Sequence, residues 1–131
     1  MQCMNRWAVG LSLLWVLLMG GRVASVQAGQ LVYLATSEDK QITAFDLDQD
    51  SGKLVPRFRL ETPGNPGPLC FSPDTSYVYA ALTETPQAAA AVATLARGAD
   101  GSLKLVETAA ITGRTPYIRT NKSGTILLAA H

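Results

Sequence analysis

The sequence repeats itself with a period of 49 residues, and this internal repeat limits the possible folds more than any other feature. Residues 42–82, ITAFDLDQDSGKLVPRFRLETPGNPGPLCFSPDTSYVYAAL, align without a gap on residues 91–131, AVATLARGADGSLKLVETAAITGRTPYIRTNKSGTILLAAH. Gly52 falls on Gly101, so a turn position coincides in the two copies. A repeat of roughly 20–50 residues indicates a fold that stacks similar units side by side.

Each copy has the pattern of short β-strands joined by turns. The stretches LVYLAT and YVYAAL are rich in β-formers, and in ITAFDLD the side chains of Thr43, Phe45 and Leu47 lie on one face. Asp, Ser and Gly in DQDSGKL and GADGSL favour hairpin turns. The prolines and glycines of TPGNPGP, residues 62–68, predict a loop.

The stretch PQAAAAVATLA, residues 86–96, supports two interpretations. Alanine is the strongest helix former, and Pro86 suits the first turn of a helix. The repeat instead places this stretch opposite ITAFDLD, which has the pattern of a strand. We follow the repeat and predict a strand.

Four short strands in about 49 residues are typical of one blade of a β-propeller. Residues 31–60 supply three strands of a first blade, residues 68–109 a whole blade, and residues 117–130 the first two strands of a third. The predicted fold is therefore all-β, a partial propeller of about two four-stranded blades. Because a propeller closes with roughly 4–8 blades, we expect the chain to be the N-terminal fragment of a longer protein.

The first 28 residues predict a secretory signal peptide with a short signal helix. Arg6 precedes an apolar run over residues 7–19, and the small-residue pattern VQA ends at Ala28. The run is shorter than the roughly 20 residues of a membrane span, although an uncleaved anchor is the alternative. Cleavage after Ala28 would export residues 29–131, which are expected to form the incomplete propeller, to the periplasm or the exterior.

The composition of residues 29–131 excludes several functional classes. Without Arg6 and Arg22, nine of the eleven basic side chains remain beside ten acidic ones, so the net charge is −1. That balance gives no electrostatic reason to bind nucleic acid or an anionic membrane. Cys70 is the only cysteine there, which rules out an intrachain disulfide. Its apolar neighbours predict a buried, inert thiol.

Four stretches resemble the lactonase family of seven-bladed propellers, which includes the propeller-type bacterial 6-phosphogluconolactonases. They are VYLATSEDKQITAFDLDQDSGKL, GNPGPLCFSPDTSYVYAAL, DGSLKLVETAAITG and TPYIRTNKSGTILLAA. The resemblance covers residues 31–131 and about the first third of a family member. It implies a hydrolase without metal or cofactor that opens a sugar lactone such as 6-phosphogluconolactone. Family members often carry His where this chain has Tyr117, and their proposed catalytic groups lie mostly in later blades.

The strand PYIRTN contains the candidate binding residues. Tyr117, Arg119 and Asn121 share one face of it, and the resemblance makes it an innermost strand beside the central channel. Arg119 is therefore a candidate anion binder and Tyr117 a candidate hydrogen-bond donor; a solvated arginine and a packed tyrosine are the alternative. His131 is the only histidine, and as the last residue of the sequence it is expected to be a frayed end rather than a general base. No catalytic residue is assigned.

One acidic stretch has part of the pattern of a metal site. Asp46, Asp48 and Asp50 alternate as in a calcium loop, but such a loop needs Gly at position 6 and Glu at position 12. Here Gly52 stands at position 7 and Arg57 at position 12. The pattern predicts an acidic strand end that runs into a hairpin turn, and no metal site.

The sequence thus predicts a lactonase-like protein that binds a small-molecule lactone and is inactive as this truncated chain. The alternative is a non-catalytic exported propeller that binds a protein or a glycan, because the fold alone does not select a function. Open blade edges are further expected to favour self-association and to leave residues 29–131 with marginal stability.

Overall fold

A computed structural model describes residues 29–130 of the chain. The predicted signal peptide and its helix, at residues 1–28, and His131 lie outside the described residues. No helix within the described range is long and apolar enough to cross a membrane. The described elements are strands: β1 (Gln30–Thr36), β2 (Gln41–Leu47), β3 (Leu54–Glu61), β4 (Asn65–Phe71), β5 (Tyr77–Thr83), β6 (Ala90–Arg97), β7 (Leu103–Ala110), β8 (Tyr117–Thr120) and β9 (Leu127–Ala130).

The strands form three antiparallel sheets, each made of neighbours in sequence. Their orders are β1-β2-β3, β4-β5-β6-β7 and β8-β9. This is the predicted division into three, four and two strands, and it confirms the all-β fold class. Sequential antiparallel pairing follows from the short turns, because each strand can reach only the strand that precedes or follows it.

The 49-residue repeat reappears in the local geometry of the chain. The turn glycines Gly52 and Gly101 both have left-handed backbones, with φ of 69° and 84°. Strands β3 and β7 each contain one residue outside the pairing register, Arg57 and Val106, which are again repeat equivalents. A bulge bends its strand locally, so β3 and β7 are interrupted at equivalent places.

The prediction of a strand in the alanine-rich segment is confirmed, and the helix alternative is wrong. Strand β6 pairs with β5 on one side and β7 on the other. Its side chains are buried on both faces, with Ala91, Ala93 and Leu95 on one and Ala90 and Val92 on the other. Small side chains fit between two stacked sheets, so tertiary packing overrides the helix propensity of alanine.

The prediction of a loop over residues 62–68 is wrong at its C-terminal end. Strand β4 already begins at Asn65 and includes both Pro66 and Pro68. Among the described strands β4 pairs only with β5, and its register shifts between Pro66 and Leu69. Proline is tolerated in an edge strand and at a bulge, where its missing N–H breaks no ladder hydrogen bond.

The hydrophobic core lies where the first sheet packs on the second. Leu82 stands opposite Ala91, Ala80 opposite Ala93, and Val78 opposite Leu95, so alanines and larger aliphatic side chains share the buried face of the β5–β6 pair. Ile42 of β2 completes this buried cluster, and half-buried apolar side chains of both sheets pack around it: Tyr33, Ala35, Leu60, Leu69 and Leu103.

A polar contact also joins the first two sheets. The Tyr33 hydroxyl donates a hydrogen bond to the Gly101 carbonyl (2.5 Å) and accepts one from Arg97 Nε (3.1 Å). The Tyr33 ring meets Phe71 edge to face, with ring centroids 5.8 Å apart. Gly101 approaches so closely that a Cβ there would overlap the Leu31 side chain. The turn before β7 is therefore part of the interface between the sheets.

The acidic stretch is a hairpin turn, as predicted. Asp46 pairs with Arg57 at 2.9 Å, while Asp48 Oδ1 accepts hydrogen bonds from the backbone N–H groups of Asp50 and Ser51. Hydrogen bonds from Ser51 and the backbone lower the pKa of Asp48. Among the described residues, no group of three or more His, Cys, Asp or Glu side chains is arranged to hold a metal.

We predict that Gly101→Ala destabilises the protein more than Gly52→Ala. Both substitutions place a Cβ on a left-handed backbone, which costs about 1–2 kcal/mol. At Gly101 the Cβ also overlaps Leu31, and overpacking adds about 1–3 kcal/mol, whereas at Gly52 no atom lies within 4 Å. Urea unfolding followed by circular dichroism measures both losses. Equal losses would contradict the role of Gly101 in the interface.

Candidate functional site

The starting ends of β4 and β8 form one side of a cavity of about 560 Å³. These two strands are spatial neighbours, although they belong to different sheets. Asn65, the first residue of β4, and Arg114, just before β8, are 49 residues apart and are therefore repeat equivalents. The cavity is lined by Ser37, Asn65, Gly67, Pro68, Ala81, Thr83, Arg114, Thr115 and Pro116.

Irregular backbone at the start of β4 opens the cavity. Gly67 and Pro68 lie in the register shift between β4 and β5, so both residues lack a partner in the pairing register of that ladder. Gly64 brings the chain tightly against the end of β5, where a Cβ would stand 2.5 Å from the Thr83 carbonyl oxygen. Bulges of this kind often lie beside binding and active sites, because they redirect side chains.

The side-chain amide of Asn65 makes a hydrogen bond through its nitrogen, but not through its oxygen, within the described residues. Its Nδ2 donates to Glu84 Oε2 at 2.9 Å, which sets the orientation of the amide. Its Oδ1 is buried and has no hydrogen-bond partner among the described residues. Such an oxygen costs about 1–3 kcal/mol until a donor reaches it. Glu84 itself has φ of 55°, a left-handed backbone that is uncommon outside glycine and asparagine.

The cavity wall carries a single formal charge, and it is positive. Arg114 is exposed, and within residues 29–130 it forms no ion pair. None of the other lining residues is acidic or basic. Thr115 beside it is buried, with its hydroxyl 3.4 Å from the Gly113 carbonyl oxygen. A guanidinium that has no ion pair within residues 29–130 can bind an anion through parallel hydrogen bonds.

The residues predicted from sequence lie beside this cavity and not in its wall. On β8, Ile118 is buried against the second sheet, whereas Tyr117 is 56% exposed and Arg119 is exposed on the opposite face. Tyr117 is the repeat equivalent of Pro68, which does line the cavity. Strand β8 packs on the face of β4 that contains Pro68. On β8 itself the equivalent face, which contains Tyr117, is exposed.

Sequence reasoning missed Asn65 and Arg114. One signal could have found them, because each directly follows one of the aligned glycines, Gly64 and Gly113. The two polar residues therefore occupy the same place in successive copies of the repeat. The alternating pattern within one strand does not include the residues that lead into it, and Asn65 and Arg114 are such residues.

Cys70 has the properties of a structural thiol. It is unpaired and half-buried on β4, and burial raises the pKa of the thiol above its ordinary value, against a smaller opposing effect of a hydrogen bond with the Thr120 backbone. A raised pKa keeps the thiol protonated and therefore a poor nucleophile. This agrees with the inert thiol that its apolar neighbours predict.

Repeated antiparallel sheets that pack face to face, with neighbouring innermost strands, define the chain as part of a β-propeller. The family described as Lactonase, 7-bladed beta-propeller matches residues 28–131. The chain belongs to this family.

Individual relatives agree with the family assignment. A 6-phosphogluconolactonase of Serratia proteamaculans is 30% identical over 101 residues, which are 77% of this chain and 29% of that protein. A solved structure of a candidate 6-phosphogluconolactonase from Bacteroides uniformis has a TM-score of 0.64 and 23% identity, over 75% of this chain and 29% of the other. One from Bacteroides fragilis has a TM-score of 0.65 and 21% identity, over 77% and 31%. At these identities the two structures establish the fold.

We predict that Gly64→Ala damages the start of β4, whereas Gly67→Ala does not. The Cβ at position 64 meets the backbone of Thr83 and the side chain of Thr85, which cannot both retreat, so a loss of about 1–3 kcal/mol is expected. At position 67 the nearest atom, the Ala81 carbonyl oxygen, is at an ordinary 3.7 Å. Urea unfolding of both variants checks this. An unchanged Gly64→Ala protein would show that β4 does not need the close approach.

Proposed function

We propose that this protein is a lactonase-like protein of carbohydrate metabolism that opens a sugar lactone of the 6-phosphogluconolactone type. The observation that carries this proposal is the family match over residues 28–131. The relative from Serratia proteamaculans, itself a 6-phosphogluconolactonase, supports the sugar lactone as the substrate class. The chain spans 29% of the length of that relative. We therefore attribute the relative's reaction to this chain as a proposal.

The cavity offers groups that suit the binding part of this reaction. Hydrolysis of a lactone adds water to the ester carbonyl, breaks the bond between the acyl carbon and the ring oxygen, and releases a hydroxy acid. The developing oxyanion and the acid product both need hydrogen-bond donors. In our proposal Arg114 donates to the acid, while Ser37 contacts the sugar hydroxyls.

The wall of the cavity lacks a group that could activate water. None of its lining residues is a carboxylate, an imidazole or a thiol. A general base must lie within hydrogen-bond reach of the water that it deprotonates. The base is therefore not one of these residues. This observation supports the second candidate function, a propeller that binds a glycan in the same cavity without catalysis.

A lactone assay separates the two functions. Hydrolysis of 6-phosphogluconolactone by the 131-residue chain above the spontaneous rate, measured by acid release at constant pH and retained in EDTA, would support the hydrolase and overturn the expectation that this chain is inactive. A lactone without hydroxyl groups, δ-valerolactone, serves as the control and should remain at its spontaneous rate. Saturable sugar binding without acceleration would favour the glycan-binding function, and equal acceleration of both lactones would contradict a sugar site.

We also propose that the protein is exported after cleavage behind Ala28. The motivating observation is the charged start, short apolar run and small-residue pattern of residues 1–28. Bacterial expression should place a protein with Gly29 as its first residue in the periplasm, as N-terminal sequencing would reveal, and Ala28→Gln should leave the precursor uncleaved. Full-length protein held in the membrane fraction would instead identify an anchor. Export would favour an unphosphorylated lactone, because phosphorylated sugars are cytoplasmic metabolites.

A further inference from the structure

We propose that this protein associates head to tail with a second copy of itself, through two different sheet faces. One is the outer face of the first sheet, which contains the side chains of Val32, Leu34 and Phe45. The other is the outer face of the third sheet, which contains Tyr117 and Leu128. This inference goes beyond the proposed function, because it requires neither the cavity nor a reaction.

The two outer faces point away from the second sheet, which lies between the other two. Strand β4 of the second sheet is a spatial neighbour of β1 and β2 on the first sheet and of β8 on the third. Tyr33 and Ile42 of the first sheet contact the second sheet, so Val32 and its neighbours on the opposite face point outward. Ile118 of the third sheet is buried against the second sheet, so Tyr117 points outward by the same alternation.

Both outer faces expose apolar side chains within residues 29–130. On the first sheet Leu34 is 53% exposed, and Val32 and Phe45 are half-buried beside it. On the third sheet Leu128 is 61% exposed and is the diagonal neighbour of the exposed Tyr117. Single exposed apolar residues are common, but adjacent ones on one face are typical of an interaction surface.

The outer face of the first sheet is the repeat equivalent of the face through which the second sheet packs on the first. Val32 stands opposite Phe45, as Val78 stands opposite Leu95. Phe45 and Leu95 each directly follow the register shift of their strand, which makes them equivalent in the pairing pattern. Because Val78 and Leu95 are fully buried in the core between the two sheets, the first sheet has a second, open example of the same packing face.

The outer face of the third sheet is the repeat equivalent of the face that receives this packing. Leu128 follows Tyr79 by 49 residues, and the similarity of LVYLAT in β1 to YVYAAL in β5 matches Tyr79 with Tyr33. Tyr33 lies on the face of the first sheet that holds the second sheet, where it binds the Gly101 carbonyl oxygen. Leu128 therefore occupies in the third sheet the place that Tyr33 occupies in the first.

Each copy thus carries both halves of an interface that the molecule already forms between its first two sheets. A second copy can place the outer face of its first sheet on the outer face of the third sheet in the same way. This contact joins two different faces, so it is heterologous and can repeat from copy to copy. The charged side chains do not oppose it, because Arg59 and Glu61 on the first face have opposite signs and Arg119 is the charged residue on the third.

Analytical ultracentrifugation of the 131-residue chain over a wide range of concentration tests the association. We expect the average mass to rise above that of the monomer as the concentration increases. Leu34→Lys and Leu128→Lys should each weaken the association by about tenfold or more, because a buried ammonium group without a partner is costly. Val106→Lys is the matched control, since Val106 is 58% exposed on β7 outside both faces, and it should associate as the parent does.

A mixture of the two variants tests the head-to-tail arrangement. Leu34→Lys keeps the outer face of the third sheet intact, and Leu128→Lys keeps that of the first sheet. At a concentration where the parent assembles, each variant alone should remain monomeric, whereas the equimolar mixture should form a complex of two chains and nothing larger. A symmetric contact between identical faces would not be restored by mixing.

Three results would overturn the proposal. They are a parent chain that stays monomeric at every concentration, an association that both lysine variants leave unchanged, and a mixture that remains monomeric. An unchanged association would point to pairing of strand edges instead of faces. The urea midpoint of each variant verifies its fold, and Leu34→Thr and Leu128→Thr, which place a β-branched side chain in each strand, repeat the test if a lysine lowers the midpoint.

Discussion

The packing of the first sheet onto the second is the contact on which the rest of the structure depends. A sheet of three or four strands cannot shield its apolar faces alone, so each blade is stable only against its neighbour. Ile42 of the first sheet therefore joins the Val, Ala and Leu side chains of β5 and β6 in one buried cluster. The small side chains of Ala80, Ala91 and Ala93 in this cluster let the two sheets approach closely. Gly101 lets the turn before β7 reach Tyr33.

This stacking also creates the candidate site. Once the second sheet is held against the first, β4 lies beside β8, and the bulge at Gly67 opens a cavity between their starting ends. Asn65 and Arg114 reach the cavity because the repeat gives them equivalent places in successive blades. Within residues 29–130 the Asn65 side-chain oxygen has no hydrogen-bond donor, and the Arg114 guanidinium has no ion pair.

Most of the strands could be predicted from sequence because the repeat carries more information than local propensity. It assigned the alanine-rich segment to a strand against a strong helix preference, and β6 confirms the assignment. Local composition gave the wrong prediction at residues 65–68, which belong to β4. The prolines there suggested a loop, but an edge strand with a bulge tolerates them. Asn65 and Arg114 lie in the middle of the segment 62–68 and of its repeat equivalent, residues 111–117, so an interpretation based on loops and alternating strands left them out.

The sequence by itself determined the all-β class, the 49-residue unit and the turn positions, because alternating side chains and turn residues act over a few neighbours in the chain. Tertiary structure alone decided which face of each innermost strand is covered and which residues line the cavity. Tyr117 and Arg119 share a face by simple alternation, but the next sheet determines whether such a face is buried or open. On β4 the equivalent face contains Pro68. Because β8 packs against this face, Pro68 lies in the cavity wall.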